Sequence, residues 1–103
     1  VTEVIWAPAA QQSLDRILTY YEANGAHDFI NRVLDKIDDL VVFVCNWPEV
    51  GFVFHQHQDA IYRKLQITRN VVLIYRFNGS QIRLLHFIDT RNQPAVDRFI
   101  EGL

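Results

Sequence analysis

The sequence predicts an α+β domain: an N-terminal strand, a helical hairpin, then an antiparallel meander sheet with a short C-terminal helix. Three observations predict it. Two apolar stripes of helical period fill the first half and are joined by Asn24-Gly25. The period changes to two after the breaker segment Asn46-Trp47-Pro48-Glu49-Val50-Gly51. Asn78-Gly79, a hairpin turn signal, separates two β-branched runs. With 103 residues, 50% of them hydrophobic, the chain forms one domain over 1–103 with a thin core.

Val4-Ile5-Trp6 is a short apolar run and reads as the first strand. Pro8 opens a helix, because proline in the first turn gives up an N–H that has no partner there. Ala10, Leu14, Ile17, Leu18 and Tyr21 recur at helical spacing, with Gln11, Gln12, Asp15, Arg16 and Glu22 off that stripe. Asn24-Gly25 ends the helix, glycine accepting the left-handed cap. A second helix starts near 26–28, with the stripe Phe29, Ile30, Val33, Leu34, Ile37, Leu40 and Val41 and a charged outer face that includes Asp28, Asp35, Asp38 and Asp39. Beyond Gly51 come a short strand over 52–54, a polar loop over 55–59, and strands over 61–67, 71–77 and 82–89. Pro94 starts the terminal helix, which carries Val96, Phe99 and Ile100. Helices grouped before a meander place both on one face of the sheet.

Counting parity through the Asn78-Gly79 turn sorts the last two strands. One face carries Val71, Leu73, Tyr75, Phe77, Ile82, Leu84, His86 and Ile88 and is expected against the helices, with His86 a satisfied core histidine. The other carries Val72, Ile74, Arg76, Arg83, Leu85, Phe87 and Asp89. Mixed aliphatic and arginine character needs a covering segment or a partner. Arg76, Arg83, Leu85 and Phe87 are therefore expected to bind an amphipathic peptide, the arginines meeting its acidic groups.

The formal net charge is −2, poor equipment for an autonomous nucleic-acid binder. Its distribution is uneven. Residues 1–59 hold three basic side chains (Arg16, Arg32, Lys36) against nine acidic ones, and 60–103 hold seven basic against three acidic. The second half thus builds a basic surface suited to an acidic peptide or a phosphate backbone. A single cysteine, Cys45, cannot form an internal disulfide; it suits a reducing compartment and is expected to be a small buried side chain. No run approaches the ~18–20 apolar residues of a membrane span, and no secretion signal is expected. His55 and His57 with Asp59 make an incomplete ligand set, read as a solvated loop, so no metal and no cofactor are expected. Trp6 and Trp47 read as core or core-rim anchors; Glu49 and Asp89 are potential bases without visible partners.

Several segments in order resemble the RelE/ParE toxin superfamily. Val4-Ile5-Trp6-Ala7-Pro8-Ala9-Ala10 is similar to its opening strand and helix start, and Leu14, Ile17 and Tyr20-Tyr21 fit its first helix. Trp47-Pro48 with Gly51, Tyr62-Arg63-Lys64-Leu65, Val72-Leu73-Ile74-Tyr75-Arg76-Phe77 and Ile88-Asp89-Thr90-Arg91-Asn92-Gln93-Pro94 resemble its later motifs. The resemblance covers nearly the whole chain and is closer to the ParE branch. It implies a cytoplasmic toxin of a type II toxin–antitoxin system, of the kind that stabilises plasmids and arrests growth. It implies a cognate antitoxin, contact with DNA only through that antitoxin, no membrane, and a homodimer or a toxin–antitoxin hetero-oligomer.

The ParE branch implies inhibition of DNA gyrase without chemistry of its own. The RelE branch implies metal-independent, ribosome-dependent cleavage of messenger RNA, and for that reading Arg63, Lys64, Arg69 and Arg91 are the catalytic candidates. A non-toxic, antitoxin-binding remnant is a third reading. The arginine that RelE-like nucleases place three residues before the strand tyrosine falls at Val72, and no tyrosine follows Tyr75. Valine can neither neutralise a phosphorane nor move a proton. The nuclease set therefore reads as incomplete, and gyrase inhibition as the better fit.

Overall fold

A computed structural model describes residues 2–90. Strand β1 (Glu3–Trp6) is followed by helices α1 (Pro8–Ala23) and α2 (His27–Asn46). Strands β2 (Phe52–His57), β3 (Ala60–Thr68), β4 (Val71–Phe77) and β5 (Gln81–Asp89) complete the order. The expected helix from Pro94, like Arg91, lies outside the described residues.

The helices form as their stripes require. Ala7 is extended, Pro8 takes the first turn of α1, and Ala10, Leu14, Ile17 and Tyr21 are buried. Gly25 adopts φ +73°, and the Ala26 N–H returns to the Tyr21 carbonyl, closing the helix end. In α2 an acidic residue, Asp28, sits in the first turn, where it complements the helix dipole. Val33, Ile37 and Val44 are buried, whereas Leu34, assigned to the stripe, is 40% exposed. Pro48 follows Trp47, so the helix cannot continue.

The sheet runs β1-β5-β4-β3-β2. The meander is antiparallel as expected, but β1 joins it parallel to β5, making the sheet mixed. Strand β2 is longer than expected: the anticipated polar loop at 55–57 is strand, paired to Tyr62, Ile61 and Ala60. Gln58, at φ 55°, makes the turn to β3.

One expectation about the faces is corrected. The β4–β5 register shifts between Ile74 and Tyr75, leaving Leu85 without a partner. Such a bulge reverses the parity of everything beyond it. Phe87 pairs with Leu73 and Asp89 with Val71, on the helix side, while His86 pairs with Ile74 on the other. Phe87, expected on the open face, is 2% exposed in the core, and its ring stacks on Trp6 at 5.6 Å. Asp89 accepts a hydrogen bond from the Tyr21 hydroxyl at 3.3 Å. The bulge falls where the neighbour of β5 changes. β1 ends at Trp6, paired to Leu84, and the Ala7 N–H donates to the Leu84 carbonyl. Past that point α1 serves the strand: the Phe87 N–H donates to Ser13 Oγ at 2.9 Å, and that hydroxyl donates to the Ala10 carbonyl.

The core is the layer between the helices and this side of the sheet, with Val33, Leu73, Tyr75, Ile82, Leu84 and Phe87 nearly inaccessible. Val72, Ile74, Ile88 and Tyr62 are also buried but lie outside that cluster, on the opposite side.

Candidate functional site

Directly paired residues in an antiparallel ladder point to the same side. Register therefore places Arg63, Lys64, Arg76 and Arg83. Arg63 pairs with Tyr75 and Lys64 with Ile74, so the two adjacent cations face opposite ways.

Arg63 belongs to a clamp on the segment linking α2 to β2. Its Nη1 donates to the Glu49 carbonyl at 2.9 Å and to the Gly51 carbonyl at 3.0 Å. The Tyr75 hydroxyl donates to the Pro48 carbonyl at 2.9 Å and accepts from the Gly51 N–H at 2.8 Å. A Cβ on Gly51 would lie 2.6 Å from that hydroxyl, so the close approach requires glycine. Burial pushes the Tyr75 phenol above its ordinary value, against the opposing effects of the Gly51 N–H and Arg63. It stays protonated at neutral pH and works as a structural donor. The clamp supports an apolar cavity of about 570 Å³ lined by Phe43, Asn46, Trp47, Pro48, Glu49, Val50 and Phe77. Trp47, expected as a core or rim anchor, is 61% exposed at its wall.

The side of the sheet away from the helices holds Lys64, Arg76 and Arg83. The Lys64 ammonium lies 5.5 Å from the centre of the Phe52 ring, and the Arg76 guanidinium 5.5 Å from that of Tyr62. His55 sits 5.7 Å from Tyr62, and His57 stacks beside His55 at 6.5 Å. A row of rings and cations thus crosses β2, β3 and β4. Arg83 pairs directly with Arg76. Together with Asn78 and Gln81 they line a pocket of about 240 Å³ at the β4–β5 turn. Leu85, at the bulge, is half-buried.

The sites read from sequence therefore divide. Arg76 and Arg83 come together, while Phe87 leaves the face. Arg63 is bound to the loop, and Lys64 lies on the open side. Arg69 is exposed in the β3–β4 turn, its carbonyl accepting from the Gln66 amide at 3.1 Å. Val72 is buried, 8% exposed, with no charge to offer. His86, read as a core histidine, is half-buried on the far side of β5's ladder. Its pKa is lowered first by burial and then by Arg16. Among the described residues no group of three or more His, Cys, Asp or Glu side chains is placed to hold a metal. Cys45 is half-buried.

Sequence reasoning missed Tyr62 beneath Arg76, the Tyr75 clamp, and Asn78 and Gln81. The alternation of Phe52, His55 and His57 was readable only with the second bulge, between Val53 and His55, in hand.

The family model described as the ParE toxin of type II toxin-antitoxin systems, parDE, matches residues 4–94. A solved chain of the chromosomal ParDE TA system from P. aeruginosa superposes with a TM-score of 0.67 at 18% identity, covering 85% of this chain and 95% of that one. A YoeB/ParE toxin from Agrobacterium tumefaciens superposes with a TM-score of 0.52 at 17% identity, covering 85% and 98%. At those identities the likeness is one of fold. No curated protein matches the sequence.

Proposed function

Since the chain belongs to the ParE toxin family of type II toxin–antitoxin systems, we propose that it inhibits DNA gyrase and is held silent by a cognate antitoxin. The observation that carries this reading is the dispersal of the described nuclease candidates, Arg63, Lys64 and Arg69. Metal-free RNA cleavage requires several cationic or acid–base groups converging on one phosphate. Here Arg63 and Lys64 face opposite sides of the sheet, Arg63 already serves two carbonyls, and Val72 stands where an arginine would be needed. A binding inhibitor needs no such convergence.

In this reading the protein acts in the cytoplasm, arrests growth when its antitoxin is lost, and so stabilises the plasmid that carries the pair. No helix among the described residues is long and apolar enough to cross a membrane. Arg76 and Arg83, with Leu85 at the bulge nearby, form the partner-binding surface in this reading. DNA is contacted only through the antitoxin, and the silent form is a toxin–antitoxin hetero-oligomer.

Expression without the antitoxin tests the reading. Gyrase inhibition gives filamentous cells, an induced DNA-damage response and trapped gyrase–DNA cleavage complexes. Rapid translation arrest with transcript ends inside codons would instead establish a nuclease. Unimpaired growth would leave only antitoxin binding.

A further inference from the structure

His55 and His57 lie two residues apart in a stretch that reads from sequence as a solvated loop, and the fold makes that stretch a strand. His55 pairs with Tyr62 and His57 with Ala60, so both imidazoles stand on the side of the sheet away from the helices. The bulge in β2 puts them there. Val53 pairs with Arg63 and the next pair is His55 with Tyr62, leaving Phe54 as the extra residue. Without that extra residue Phe54 would meet Tyr62, and both histidines would turn to the side of Arg63 and Tyr75. Bulges commonly re-aim a side chain in this way.

The two rings lie 6.5 Å apart, centre to centre, and within 9° of parallel. His55 is half-buried, with the Tyr62 ring at 5.7 Å and the Phe54 ring at 6.5 Å. His57 is exposed, and the residue opposite it, Ala60, is small enough to leave its ring free to turn. One imidazole is therefore ordered in advance, and the other is able to swing. Among the described residues neither ring takes part in a hydrogen bond or an ion pair, so their nitrogens are available as ligands. Metal–nitrogen bonds of about 2.0–2.1 Å bring two ligating rings to about 5 Å, centre to centre. Rotation of the exposed His57 side chain closes the remaining gap. Lys64 and Arg76, on the same side, are each held over another ring, Phe52 and Tyr62.

We infer that His55 and His57 form a two-imidazole chelate on β2, an outer strand of the sheet, for one divalent ion of the late first transition row. Donor chemistry selects this class. Imidazole nitrogen suits nickel, copper and zinc, whereas magnesium and calcium take oxygen. No group of three or more His, Cys, Asp or Glu side chains is placed to hold a metal among the described residues, so solvent fills the other positions. The site is thus open and exchangeable, unlike the closed four-ligand set of a structural zinc. The inference does not depend on the gyrase reading.

The test is titration of untagged protein with nickel chloride, followed through the imidazole NMR signals, because bound paramagnetic nickel broadens its own ligands first. His27, exposed at the start of α2, is the internal control for binding to a single imidazole. His55 and His57 are expected to broaden together, ahead of His27, and to saturate at one ion per chain. His57→Gln is expected to weaken nickel binding about a hundredfold, the low end of what linking two ligands gains. The melting temperature of the metal-free variant should match that of the parent. His27→Gln is expected to leave the affinity unchanged, and magnesium chloride to leave both signals of the pair unmoved.

Broadening of His27 as early as the pair would overturn the assignment, since it would show binding to any exposed imidazole. So would nickel affinity unaltered by His57→Gln, or an equal response of the pair to magnesium.

Discussion

Arg63 and Arg76 stand on neighbouring strands of one sheet, on either side of Tyr75, and have opposite roles. Arg63 pairs with Tyr75 and turns its guanidinium to two backbone carbonyls of the α2–β2 link. Arg76, one residue beyond Tyr75, faces the other way over the Tyr62 ring, opposite a second arginine. The first is consumed in holding the fold. The second rests on an aromatic ring and has no ion pair among the described residues. Counting basic residues along 60–103 treats the two as equivalent, whereas side of the sheet and hydrogen-bond partners separate them.

The largest effect that can break this contrast comes from the register that defines the two sides. Phe87→Ala should cost about 3–5 kcal/mol, the usual range for truncating a core phenylalanine, read as a lower midpoint in urea. A loss near zero would return Phe87 to the open face and undo the bulge. Next is the clamp. Tyr75→Phe leaves the Gly51 N–H and the Pro48 carbonyl without the hydroxyl. It should cost about 1–3 kcal/mol, the penalty of a buried unmade hydrogen bond. Gly51→Ala drives a methyl against the Tyr75 ring and hydroxyl and should lose about 1–3 kcal/mol through overpacking. Arg63→Ala, with its group partly in solvent, should cost about 1 kcal/mol. The gyrase reading requires that toxicity survive it once the protein is kept folded.

The smallest effect concerns His86. Its pKa in the folded protein is held below the ordinary 6.5 by burial and by Arg16. The unfolded chain therefore takes up the proton first as pH falls, and stability declines below about 6.5 until the folded imidazole also protonates. His86→Gln should flatten that part of the stability–pH curve. An unchanged slope would show that other groups govern it.

The helical hairpin was legible because two stripes of helical period, a proline start and a glycine stop all agree. The meander was legible from its alternation and the Asn78-Gly79 turn. The face assignment failed at Leu85, since no glycine or proline marks that bulge. Its position follows from tertiary structure, where β1 gives way to α1 at the edge of β5. The end of β2 was hidden because polar residues alternate on an open edge strand as they do in a loop. Of the site, Arg76 and Arg83 were readable from parity, which holds up to Leu84. The clamp was not, because it links residues 24 or more positions apart through Tyr75.

The central claim is tested most directly in two parallel reactions with the purified protein. One contains DNA gyrase and relaxed plasmid; the other is a translating extract with a defined messenger RNA. The account predicts accumulation of cleaved gyrase–DNA complexes in the first and intact message in the second. Unimpaired supercoiling together with message cut inside codons would contradict it.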